Sequence, residues 1–125
     1  MLDITGTEIK LTRGNSGTVD LNITDAITGE RYVPSEGDKF VFTMKGALGF
    51  KLQKVLTIDD FEDGILKLHF DPKDTINACD NAKYRYDMLA LLDSGYCETF
   101  VSGTVEILRA VGTYQNIDGG ERYGE

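Results

Sequence analysis

Apolar and polar residues alternate along most of this chain, and that period of two predicts an all-β protein built as a two-layer sandwich. Three observations carry the prediction. Val19, Leu21 and Ile23 alternate with Thr18, Asp20, Asn22 and Thr24. Phe40, Phe42 and Met44 share one face of Lys39–Lys45. Asp63–Gly64 separates two further runs with the strongest short hairpin signal in the sequence. Only two prolines interrupt the 125 residues, and no internal repeat or long polar tract divides them, so one domain is expected.

The elements follow in order. Ile9 and Leu11 alternate with polar neighbours and make a short first strand. Arg13–Gly14–Asn15–Ser16–Gly17 is a turn whose glycines are free to take positive φ. A half-buried strand covers 18–24, a loop covers Asp25–Gly29, and Arg31–Val33 forms a short edge piece before Pro34. Lys39–Lys45 turns Val41 and Thr43 away from its phenylalanines. Lys54–Asp59 reads as another strand, and Ile65–Phe70 points Leu66, Leu68 and Phe70 inward. At Asp71–Pro72–Lys73–Asp74 a helical turn begins and runs to about Ala78. There Asp71 accepts from unpaired amides, Pro72 suits the first helical position and Asp74 sits in the favoured first turn. Tyr84–Leu92 and Cys97–Leu108 close the domain around an Asp93–Ser94–Gly95 turn, with Val101, Val105 and Ile107 on one face.

About seven antiparallel strands, with one short helical turn near 72–78, describe an immunoglobulin-like β-sandwich over residues 1–111. Tyr84 and Tyr86 suit that layout as strand-corner residues. A Tyr entering this strand folds its hydroxyl back onto the preceding corner, which would tie the crossover from Asp71 to the sheet. The tail 112–125 is rich in glycine, lacks apolar periodicity and is expected to be flexible. Tyr114 and Tyr123 are the side chains by which it would dock on a neighbour.

Composition narrows the function. Thirteen basic residues against 21 acidic ones leave a net charge of −8, the wrong sign for a nucleic-acid backbone or an anionic membrane. No apolar run of the length that spans a bilayer occurs. MLDITGTEIK has neither a basic start nor an apolar stretch, so synthesis in a reducing cytoplasm is expected. Cys79 and Cys97 lie at opposite ends of one strand, about 30 Å apart, and are expected as free thiols.

No chemistry converges in the sequence. His69 is the single histidine, and alternation places it on the surface, opposite Leu66, Leu68 and Phe70. Asp59, Asp60, Glu62 and Asp63 form an acidic cluster, but Phe61 occupies a ligand position of any calcium loop, so a solvated hairpin tip is expected. Phosphate-loop and nucleophile-elbow motifs are missing. Catalytic, metal and cofactor-binding residues are therefore not expected. The apolar loop Gly46–Ala47–Leu48–Gly49–Phe50 either offers Leu48 and Phe50 as a contact patch or tucks both under the sandwich edge.

Three blocks carry a family resemblance. They are Ile9–Ser16 (IKLTRGNS), Asp71–Thr75 (DPKDT), and Tyr84–Met88 (YRYDM) followed by Gly103–Ile107 (GTVEI). In this order they resemble the immunoglobulin-like structural modules of tailed phages and prophages of Gram-positive bacteria, among them the N-terminal domain of siphophage upper baseplate proteins. The resemblance implies a non-enzymatic virion protein, made in the host cytoplasm and needing no cofactor. It would work by protein–protein contact in a tail or baseplate, with other phage structural proteins or further copies of itself as partners. Alternatives are a head decoration or head–tail joining protein and, from another class, a carbohydrate- or calcium-binding surface module.

Overall fold

The computed structural model describes residues 2–4, 8–46, 49–78 and 82–113; Leu48, Cys79 and the tail from Tyr114 onward lie outside them. Among the described residues the strands are β1 (Leu2–Ile4), β2 (Glu8–Thr12), β3 (Gly17–Leu21), β4 (Ile23–Asp25), β5 (Lys39–Lys45), β6 (Lys51–Leu56), β7 (Phe61–Glu62), β8 (Ile65–Phe70), β9 (Ala82–Leu91) and β10 (Cys97–Leu108). One helical turn, α1 (Pro72–Thr75), precedes β9. The seven longer strands correspond to those expected from alternation; β1 and β7 are additional, and β4 is the end of the strand expected over 18–24, each spanning two or three residues.

Two main sheets face each other. One has the order β2-β10-β9-β5-β6, the other β3-β8-β7, and β1 pairs with β4 in a small ribbon. From β5 onward the chain alternates between the main sheets in pairs, β5 and β6, then β7 and β8, then β9 and β10, as in an immunoglobulin-like sandwich. Every ladder is antiparallel except β2 with β10, which runs parallel with Ile9 opposite Val105. The antiparallel expectation fails there because β2 does not hairpin back: after Thr12 the chain turns and crosses to the other sheet.

Alternation sets the core. Phe40, Phe42, Met44, Met88, Ala90, Val105 and Ile107 from the larger sheet meet Leu66, Leu68 and Phe70 from the smaller, each at most 1% exposed. Burying each large side chain contributes roughly 1.5–3 kcal/mol. Edge-on ring contacts lock the layers, with Phe42 5.6 Å from Phe70 and Phe40 5.7 Å from Phe61. Asp63 and Gly64 both take positive φ (52° and 79°), the conformation an Asp-Gly hairpin requires.

Four local expectations need correction. The strand expected over Lys54–Asp59 is Lys51–Leu56, and Ile58–Asp60 forms a 3₁₀ turn. That turn is capped: Thr57 N–H donates to the Asp60 carboxylate at 2.8 Å, and Asp59 N–H donates to Thr57 Oγ1 at 3.3 Å. Residues 18–24 divide at Asn22, because β3 pairs with β8 while β4 leaves to join β1. Arg31 makes only an isolated bridge to Thr24 rather than an edge strand. Finally, a bulge between Thr99 and Val101 resets the alternation of β10, so Phe100 also turns inward and packs 6.1 Å from Phe40.

Candidate functional site

The residues of the resemblance blocks are engaged inside the fold. Gly14, with φ of +78°, donates its N–H to Thr75 Oγ1 at 2.8 Å, and the Arg13 guanidinium donates to the Ile76 carbonyl at 3.0 Å. The turn after β2 is thereby fastened to α1, 61 positions away in sequence. Asp71 stands at the N-cap of α1, and its N–H donates to Asp74 Oδ2 at 2.7 Å. Asp74 also pairs with Lys54 of β6 at 2.8 Å, so the crossover is tied to the edge of the larger sheet.

Tyr84 and Tyr86 are buried on the inner face of β9. The Phe42 ring lies 5.4 Å from Tyr86, and burial pushes the Tyr86 phenol above its ordinary value. Phe50 is half-buried with its ring 4.9 Å from that of Tyr84, so it tucks under the sandwich edge rather than standing out as a patch. Its companion Leu48, and the tail residues Tyr114 and Tyr123, lie outside the described residues.

Buried charge is also structural. Asp38, 2% exposed, accepts from Ser35 N–H at 2.9 Å, from Asp93 N–H at 2.8 Å and from the Tyr32 hydroxyl. Burial alone would raise its pKa; those donors outweigh burial and hold the carboxyl below its ordinary value. Burial and the same carboxylate push the Tyr32 phenol up. The trio pins the segment before β5 to the β9–β10 turn. His69 lies exposed on β8, with its Nδ1 2.7 Å from Thr18 Oγ1. Asp60 is engaged in capping and Asp63 in the hairpin turn, and no group of three His, Cys, Asp or Glu side chains comes together among the described residues. Cys97 is exposed and unpaired.

What remains is the outer face of the larger sheet, where an open groove of about 750 Å³ runs across β10, β9, β5 and β6. Register orders its floor in rows. Ser102, Asp87, Thr43 and Gln53 face one another across the four strands, and Gln53 Nε2 donates to Thr43 Oγ1 at 3.1 Å. The next row is Thr104, Arg85, Lys45 and Lys51, three adjacent exposed cations on a chain of net charge −8. On the other side of the polar row lie Leu89, Val41 and Val55, the last 55% exposed. Among the described residues, the side chains of Lys45, Lys51 and Arg85 have no ion-pair or hydrogen-bond partner. Outward parity of Lys45 and Arg85 is readable in the sequence, whereas Lys51 lies ahead of the strand that alternation predicts and joins β6 only in the fold. That the three form one row is not readable there, because register joins strands far apart in the chain.

The fold and this face define a class: an all-β sandwich of immunoglobulin-like strand order with a broad, exposed sheet face. No protein-family model matches the chain, and no curated protein matches it. Among solved structures, the fibronectin(III)-like modules of Clostridium thermocellum CbhA are similar to it over 88% of this chain and 99% of theirs, at 13% identity and a TM-score of 0.42. The class rests on the strand order and pairing, independently of that likeness.

Proposed function

We propose that this domain is a non-enzymatic structural module of a phage or prophage virion, acting in a tail or baseplate through protein–protein contacts. Support for the phage assignment comes from the ordered motif blocks of the sequence. The observation that carries the contact-making part is the use to which those blocks are put. Gly14, Thr75, Asp71, Tyr84 and Tyr86 hold the sandwich together, while the outer face of β10-β9-β5-β6 stays open. An open sheet face without a converging nucleophile, base and donors suits docking better than turnover, which requires those groups at one point.

Mass determination of the purified domain, alone and mixed with the products of the genes adjacent to its own, tests the proposal. A stoichiometric complex with a tail or baseplate protein is expected. A domain that joins none of them, or whose neighbours encode no virion proteins, overturns it.

A further inference from the structure

Resting on the assembly reading, we infer that the row Arg85–Lys45–Lys51 docks a carboxylate-rich segment of a partner protein. Arg85 is opposite Lys45, and Lys45 is opposite Lys51, so three like charges sit at the spacing of neighbouring strands. Like charges directly opposite destabilise a sheet. In a chain with 21 acidic residues, leaving these cations unneutralised among the described residues is an arrangement that a bound anion would relieve.

The surroundings select the kind of anion. Asp87 lies one row away on β9, and Glu8 of β2 is opposite Thr104 at the end of the cationic row. A uniformly charged phosphate or sulfate polymer crossing this face would run over both carboxylates. A polypeptide carries discrete charges. Its carboxylates would meet the three cations, its backbone would meet Thr43, Gln53 and Ser102, and apolar residues would cover Val41, Val55 and Leu89. Arg85 adds the planar fork that binds a carboxylate in two places.

Titration calorimetry of the intact chain with poly-L-glutamate tests this, with double-stranded DNA and heparin as competing arms. Binding to poly-L-glutamate that weakens with salt is expected. The triple variant Lys45→Gln/Lys51→Gln/Arg85→Gln should weaken it by about tenfold or more, with unchanged circular dichroism. A charge-matched control, Arg31→Gln/Lys73→Gln/Arg109→Gln, changes three exposed cations outside the strands of this face and should bind as the wild type does. Equal losses in both variants, no binding, or tighter binding to DNA or heparin would overturn the inference. If the first triple variant still joins the adjacent virion proteins as well as the wild type, the docking inference fails and the assembly reading survives. Conversely, a wild-type chain that binds poly-L-glutamate through this row yet joins no virion protein removes the assembly reading alone.

Discussion

Gly46 shows how a single position decides the local structure. A Cβ built there would lie 1.9 Å from the Tyr84 ring, and Gly46 N–H donates to the Phe50 carbonyl at 3.1 Å. Gly46→Ala must displace a buried aromatic ring, and a loss of about 2–4 kcal/mol is expected from denaturant unfolding. Asp38 decides another corner. Asp38→Ala leaves the N–H groups of Ser35 and Asp93 without their acceptor and should cost on the order of 2–3 kcal/mol. Because the folded carboxyl titrates below its ordinary value of 3.8, its stabilisation is complete above that value and is lost as pH falls through the lower folded one. Melting curves of wild type and Asp38→Ala should therefore converge on acidification; a constant gap down to strong acid would contradict this role.

Among elements, the joint between the Arg13–Ser16 turn and α1 explains why two of the motif blocks occur together. Thr75 is fully buried, and its hydroxyl is the acceptor for Gly14 N–H. Thr75→Val keeps the shape and removes the acceptor, so a loss of about 1–3 kcal/mol is expected by chemical denaturation. The cationic row behaves in the opposite sense. Lys45→Glu turns two repulsive cross-strand neighbours into attractive ones and should raise stability by about 0.5–1 kcal/mol while weakening poly-L-glutamate binding. A melting temperature that falls instead would show that the three charges are already accommodated in the free domain. Of the elements, the long strands and the hairpin at Asp63–Gly64 were legible, since alternation and turn chemistry are local properties. The 3₁₀ turn at Ile58–Asp60 was not, because Ile58 and Asp59 also continue a strand pattern. Nor was β1, which is held by its ladder with β4 and by Glu98, 96 positions away, accepting from Leu2 N–H at 3.0 Å.

At the scale of the whole molecule, closure depends on β2 lying along β10 and burying Ile9 and Leu11. Removing residues 1–12 strips that cover and exposes one edge of β10 over Thr104–Leu108. An open strand edge beside uncovered apolar residues promotes self-pairing. Light scattering should therefore detect association of the truncated chain; a monomer with unchanged melting would show that the β2–β10 ladder is dispensable. The surface shows a similar dependence on distant pairings. Although the net charge is −8, it conceals a local cationic row, because composition sums over the surface and register sorts it.

By itself the sequence determined the class of fold, the hairpin and the inward faces of the long strands other than β6 and the bulged part of β10, because a period of two and an Asp-Gly turn act over a few neighbouring residues. Only the tertiary structure decided which strands are neighbours. It brought Arg85, Lys45 and Lys51 into one row, laid β2 parallel to β10 and seated Gly14 on Thr75. These are pairings between residues distant in the chain, selected by which buried faces can close one core together, and no short window of sequence contains both partners.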